Sequence, residues 1–406
     1  MPSDRSLCIV DQSLKDQVGH FYEYAHCLYQ CARNRGDRFV VLGHREASAA
    51  QLGDLPVEPI FRLSFFDQFG RQSRVAPQLD PLRSNLSFYT DLKAALRRRA
   101  DASWVLFMPT LCHNELLGWA WWLARRPAAA APSVVLLIRG SYYFDYASQQ
   151  WNHLARWARL GFRALERVAA RRPLRIAVDS DCLQSLYRRL TRLPVEVFPI
   201  PHTRPGSPGG GRFARAGGAA RVRMVLPGGA RSEKGFVALA EALRQLAPDL
   251  EAGSLEVALQ CNISGDPPAL RAREQLEEWR LPNVSLLKEP LNAADYYSLL
   301  DSSDVVLIPY RSGDYWARTS GILAEAFAAG KPVVTTAATW MAGQVEQGGG
   351  GVLCRDEDPA DLARAMREAR DRLPDLRAEV AARLAAWVAF HNPDTLYRMV
   401  MDGGCR

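Results

Sequence analysis

Two stretches of this 406-residue chain combine residue types that can hold an anionic ligand. The first is Pro227 to Phe236, PGGARSEKGF. Its glycines Gly228 and Gly229 let backbone come close to a ligand. Arg231 and Lys234 stand where a helix begins, and the N–H groups and dipole of a helix N-terminus favour anions. Arginine can clamp a phosphate through two parallel hydrogen bonds, and lysine adds a point charge. The spacing is not that of a Walker loop. A glycine-rich turn with two solvated cations gives the same pattern, so this stretch alone leaves both readings open.

The second stretch is Pro309 to Val334, PYRSGDYWARTSGILAEAFAAGKPVV. A polar loop leads to a helix that starts near Thr319-Ser320-Gly321. Serine and threonine cap helices well, and the N–H groups of Ser320 to Ile322 suit a diphosphate. Glu325 lies one turn into an otherwise small and apolar helix, where a carboxylate is unusual. It either pairs locally or accepts hydrogen bonds from a ligand's hydroxyls, and the two adjacent hydroxyls of a ribose suit it. Gly330 ends the helix and Lys331-Pro332 enters the next strand.

The elements that must position these groups alternate in kind. Leu7–Val10, Arg38–Leu42, Trp104–Met108, Val134–Ile138, Ile176–Val178 and Val195–Ile200 read as strands separated by helical patterns. Pro201 to Ala220, PHTRPGSPGGGRFARAGGAA, reads as a linker. Alternation resumes at Arg223–Leu226, Leu255–Gln260, Val284–Leu287, Val305–Ile308, Pro332–Thr335 and Gly351–Leu353. The expectation is an α/β protein of two Rossmann-like domains facing across a cleft. Residues 1–203 form the first domain, 204–221 the linker and 222–387 the second domain. Residues 388–406 form a tail that returns to the first domain.

At this point the segment from about Met224 to Met366 resembles the C-terminal domain of GT-B-fold retaining glycosyltransferases of family four, the glycosyl transferases group 1. The resemblance is carried by PGGARSEKGF, by YSLLDSSD before VVLIPY, by SGILAEAFAAGKPVV and by the helix from Asp361 to Met366. It implies transfer of a sugar from a UDP- or GDP-sugar to a hydroxyl acceptor with retention, without a metal or other cofactor. It also implies that Arg231 and Lys234 bind the donor diphosphate and stabilise the leaving group. Ser320 and Gly321 then supply backbone donors, and Glu325 holds the ribose. Gly229, Tyr315, Arg318 and Thr319 complete the expected donor contacts. One departure stands out: the first glutamate of the family's E-x7-E motif falls on Ala317. Asp314, Tyr315, Trp316 and Arg318 are the neighbours that could replace it.

The first half resembles the family more weakly. Gly19 is the equivalent of a family glycine that lies against the donor, with His20 beside it as a catalytic candidate. Arg139 follows a strand where the family often has a histidine or another polar residue, and is the other catalytic candidate. Its alternative is a pair with a carboxylate such as Asp145. His202 marks the hinge. The helix around Trp119, Trp121 and Trp122 reads as core, with a membrane surface as its alternative.

Residues 1–200 carry 27 Lys+Arg against 18 Asp+Glu, and residues 201–406 carry 24 against 26. The basic half could meet an anionic acceptor or an anionic membrane surface; nothing in the pattern supports nucleic acid. The eight cysteines form no CxxC pair, and no apolar run reaches ~18 residues. The expected place is the cytoplasm, with peripheral contact at the inner face of the membrane. Expected partners are the nucleotide sugar and a glycan, lipid-linked or small-molecule acceptor. Two alternatives stay open: a non-catalytic partner subunit of the same fold, and a sugar-nucleotide 2-epimerase.

Overall fold

The computed structural model describes residues 6–17, 20–64, 80–97, 101–201, 212–213, 221–263 and 265–402. The chain divides into two compact units, one of residues 1–203 with 392–406 and one of residues 204–391. Gly19, His202 and most of the stretch from Pro201 to Ala220 lie outside the described residues.

The first unit is built on β1 (Ser6–Val10), β2 (Arg38–His44), β3 (Val57–Phe61), β4 (Trp104–Met108) and β5 (Ser133–Ile138). A two-residue pair, β6 (Phe144–Asp145) and β7 (Gln150–Trp151), precedes β8 (Leu174–Val178) and β9 (Val195–Val197). The main sheet has the order β3-β2-β1-β4-β5-β8-β9, and every pair in it is parallel. Sheets of this kind are covered by helices on both faces, so their strands are continuous apolar runs. VVLLI in β5 is buried throughout. β3 was not among the expected strands: it is an edge strand, carries Pro59 and is mostly half-exposed, which weakens its apolar signature.

The helix His113–Ala124 carries the tryptophans. Trp119 and Trp122 are buried, and Phe88 of the helix Asp80–Ala95 packs on Trp119 at 5.6 Å between ring centroids. This helix is core rather than a membrane-facing element. Cys27 and Cys31, four apart on the helix His20–Arg35, are both buried, and burial pushes their thiols up.

The last helix, Pro393–Asp402, belongs to the first unit. Leu396, Tyr397, Val400 and Met401 join the core that contains Tyr24, Leu28 and Phe107. Arg35 pairs with Asp394 at 2.9 Å, and Arg175 donates to the Met399 carbonyl at 2.6 Å. The unit boundary lies at His391/Asn392 and not at 387, because the preceding helix runs unbroken from Leu373 to Phe390.

The second unit holds β10 (Val222–Leu226), β11 (Leu255–Gln260), β12 (Val284–Leu287), β13 (Val305–Ile308), β14 (Val333–Thr336) and β15 (Gly351–Cys354). Their order is β12-β11-β10-β13-β14-β15, again all parallel. One apolar core joins this sheet to the helices Phe236–Gln245, Pro267–Trp279 and Pro359–Asp371. Asp266, Asn292, Ser320, Thr339 and Asp358 cap their helices through side-chain oxygens, each bond satisfying an N–H that has no intrahelical acceptor.

Gly235, which opens the helix Phe236–Gln245, has φ +73°. A β-carbon there would lie 1.8 Å from the Pro309 carbonyl oxygen. Gly235→Ala should therefore destabilise the second unit by about 2–4 kcal/mol, through both the left-handed backbone and the clash. Urea unfolding checks this; an unchanged midpoint would mean that the two segments do not pass so closely.

Candidate functional site

In the second unit β10 and β13 are neighbours, and the chain leaves them toward opposite sides of the sheet. That is the topological switch point, where open α/β sheets place their ligands beyond the carboxyl ends of the strands. The two loops there are the two stretches singled out above: residues 227–235 follow β10 and residues 309–320 follow β13.

The glycine loop is fixed from below. The Gly228 N–H donates to Gln260 Oε1 at 2.7 Å, and Gln260 donates to Asn262 Oδ1 at 3.2 Å. A β-carbon on Gly229 would stand 3.3 Å from Asn262. Gly228 has φ +81°, and a β-carbon there would lie 3.2 Å from Ile322 Cδ1 and 3.3 Å from Lys234 Nζ. The glycine turn and the Lys234 ammonium, from one stretch, thus meet the first turn of the helix Gly321–Ala328, which is distant in sequence.

Lys234 is half-buried, and its Nζ stands 5.7 Å from the centre of the Tyr310 ring. Burial lowers its pKa to about 8, with Arg231 and Arg318 adding to the shift and Glu233 opposing it. Glu233, on the short turn Ser232–Lys234, stands among the cations. Its Oε1 is 3.2 Å from Arg231 Nη2, and its Oε2 is 3.7 Å from Arg318 Nη1. Tyr315 donates its hydroxyl to Oε1 at 3.4 Å. The Arg318 guanidinium stacks on the Tyr315 ring at 4.4 Å, and Tyr315 packs on Tyr310 at 4.5 Å. Burial pushes the Tyr315 phenol up to about 12.

The helix Gly321–Ala328 begins on this cluster. Ser320 Oγ accepts the Leu323 N–H at 3.2 Å, and its hydroxyl faces Tyr310. The first N–H groups of a helix lack intrahelical acceptors, and nothing within 4 Å would meet a β-carbon on Gly321. Thr319 lies just before the cap, half-exposed. The Glu325 carboxylate receives the hydroxyl of Tyr296 in a short hydrogen bond, and that of Tyr297 at 3.5 Å.

Ala317 is fully buried, so that position directs no group outward. Of its neighbours, Arg318 and Tyr315 join the cluster, whereas Asp314 stands 4.0 Å from Arg311. In the first unit, Arg139 directly follows β5, pairs with Asp179 at 3.3 Å and stacks on Tyr24 at 4.3 Å. Its carboxylate partner is therefore Asp179 and not Asp145, which instead accepts from Ser148 and Ala147. Asp11 directly follows β1 and is buried, which pushes its carboxyl up to about 6. His20 begins the helix His20–Arg35, and its side chain lies outside the described residues.

Sequence reasoning passed over Glu233, Gln260, Asn262 and Tyr296. Glu233 lies inside the quoted glycine motif, but besides Arg231 its partners Tyr315 and Arg318 come from a distant loop, after β13. Gln260 and Asn262 carry a positional signal, since both lie at the carboxyl end of β11. Among the described residues no group of three or more His, Cys, Asp or Glu side chains is arranged to hold a metal ion, and no helix is long and apolar enough to cross a membrane.

The family profile described as glycosyl transferases group 1 matches residues 221–371. No curated protein matches the chain. Among solved structures, the α,α-trehalose-phosphate synthase (UDP-forming) of Burkholderia xenovorans superposes with a TM-score of 0.66 at 14% identity, covering 98% of both chains. Anabaena Alr3699/HepE in complex with UDP gives 0.65 at 17% identity, over 98% of this chain and 99% of that one. The sucrose-phosphate synthase of Thermosynechococcus elongatus gives 0.63 at 12% identity, over 97% and 96%. Likenesses at these identities concern the fold. The chain has the GT-B fold of glycosyltransferases, and its residues 221–371 match the family profile of the glycosyl transferases group 1.

Proposed function

We propose that the protein is a retaining, metal-independent glycosyltransferase that moves a sugar from a UDP- or GDP-sugar to a hydroxyl acceptor, in the synthesis of a cell-surface polysaccharide, glycolipid or other glycoconjugate. The observation that carries this is the convergence of the glycine turn, Lys234 and the helix N-terminus at Ser320 on the switch point of the second sheet. Arg231, Lys234 and Arg318 place three cations there. Cations and helix N–H groups stabilise the charge that develops on a departing nucleoside diphosphate. Glu325, held by two tyrosine hydroxyls, presents the carboxylate suited to a ribose.

The buried Ala317 favours a second reading, a partner subunit that kept the fold without the chemistry. The assembled cations speak against it. Calorimetric titration with UDP and GDP, followed by a screen of sugar nucleotides for hydrolysis, separates the two. Binding with turnover supports the enzyme, and no binding of either diphosphate supports the scaffold.

We place the protein in the cytoplasm, at the inner face of the membrane. The helix Ala155–Ala169 exposes Arg156, Leu160, Arg163 and Arg167 along one face, a pattern suited to an anionic surface. Co-sedimentation with phosphatidylglycerol vesicles should exceed that with phosphatidylcholine, and charge reversal at the three arginines should remove the difference. Equal binding to both would remove the membrane from the proposal.

Lys234→Ala and Arg231→Ala should each lower turnover on the order of 10²-fold, the size of effect seen when one charge-stabilising donor is lost. Steady-state transfer or donor hydrolysis checks this; near-normal rates in both variants would refute the assignment.

The lowered Lys234 pKa gives a pH dependence. Above about pH 8 the free protein holds Lys234 increasingly neutral, whereas a bound diphosphate favours its protonated form. Diphosphate affinity should fall as pH rises through 8, with uptake of a fraction of a proton on binding. Titration calorimetry at pH 8.5 in buffers of different ionisation enthalpy measures that uptake, and Lys234→Met should abolish it.

A further inference from the structure

The carboxylates around the glycine turn are unequal in their commitments. Asp266 accepts both the N–H and the hydroxyl of Ser232, at 2.7 and 2.6 Å, and caps the helix Pro267–Trp279. Asp356 accepts the N–H and the hydroxyl of Ser312. Glu325 accepts two tyrosine hydroxyls. The Glu233 carboxylate holds no backbone group: its partners are the side chains of Arg231 and Arg318, both about half exposed, and the Tyr315 hydroxyl. Exposed ion pairs contribute only about 0–1 kcal/mol, so a diphosphate can take both guanidiniums from it at little cost. Arginine forms stronger, bidentate bonds with phosphate.

Once the guanidiniums turn to phosphate, Glu233 has lost its counter-charges and stands next to an anion. A bare nucleoside diphosphate is then repelled. A nucleotide sugar fares better for two reasons. Its terminal phosphate is esterified and lacks the second ionisation, so it carries about one charge less near neutral pH. Its sugar hydroxyls can donate to the carboxylate. Ala317, where the family resemblance expects a carboxylate for the sugar, is fully buried and offers none.

We propose that Glu233 is the residue by which this site tells donor from product: its carboxylate accepts hydroxyls of the transferred sugar and disfavours the nucleoside diphosphate left after transfer. The proposal rests on the donor-site assignment made above. Glu233 is thus a specificity determinant that touches the donor, and it hastens product release.

The test is Glu233→Gln, which keeps the shape and removes the charge. The ligands are UDP with UDP-glucose, or GDP with GDP-mannose, whichever pair the unmodified protein binds. The expected result is a split. The diphosphate binds about three- to tenfold tighter, as a like charge is removed. Meanwhile kcat/KM for the nucleotide sugar falls about 10- to 100-fold, the loss expected for a hydrogen bond to a charged group. Glu233→Asp should recover part of the turnover. If diphosphate affinity and turnover fall together, Glu233 only props the arginines and the proposal is overturned. It is equally overturned if neither moves. Failure of the unmodified protein to bind any nucleoside diphosphate would instead sink the donor-site assignment itself. A thermal melt of the variant, expected to match the parent because the side chain is only half-buried, confirms that the fold is intact.

Discussion

The second unit depends on one close passage. Gly235 runs so near the end of β13 that only hydrogen fits between its α-carbon and the Pro309 carbonyl. The contact fixes the turn Ser232–Lys234 against the loop after β13, and the Arg311 N–H closes the junction by donating to the Glu233 carbonyl at 3.0 Å. From this follow the height of Lys234 above Tyr310, the reach of Tyr315 to Glu233 and the stacking of Arg318 on Tyr315. A side chain at 235 would push the two loops apart and dissolve the charge cluster, although no charged group would have been touched.

The same closeness explains the electrostatics. Three cations within one small region repel one another, and burial makes the Lys234 charge the most costly of the three. Glu233 offsets part of that cost through Arg231 and Arg318. Without an anionic ligand the cluster therefore keeps a negative partner of its own. Its internal anion lies on the residue next to Lys234, so the chain that brings the lysine also brings the group that moderates it.

Much of the architecture was legible because parallel strands covered on both faces must be apolar without interruption. Trp104–Met108 and Val305–Ile308 have the bounds that their composition suggests. β3 escaped because an edge strand can tolerate Pro59 and a half-exposed face. The site was legible where chemistry is local: the glycines, the Ser320 cap and the cations each announce themselves within ten residues. It was illegible where a partner is distant. Nothing near Glu325 points to Tyr296, 29 positions earlier, and nothing near Arg139 points to Asp179, 40 positions on. Such pairs follow from strand order, since β5 and β8 lie side by side and end at the same edge of the sheet.

That last pair also shows how differently the two sheets use their carboxyl ends. In the second unit the cations at the strand ends are half-exposed and share one carboxylate, so an incoming anion meets charge that can be redirected. In the first unit Arg139 is largely buried, already paired with Asp179 and stacked on Tyr24, with Asp11 contributing a second buried carboxyl. Moving Arg139 to a new anion would leave Asp179 as an uncompensated buried charge, which is far more costly than exchanging a surface ion pair. The excess positive charge of residues 1–200 therefore does not make this sheet edge an anion site. It resides on outer faces such as Arg156, Arg163 and Arg167.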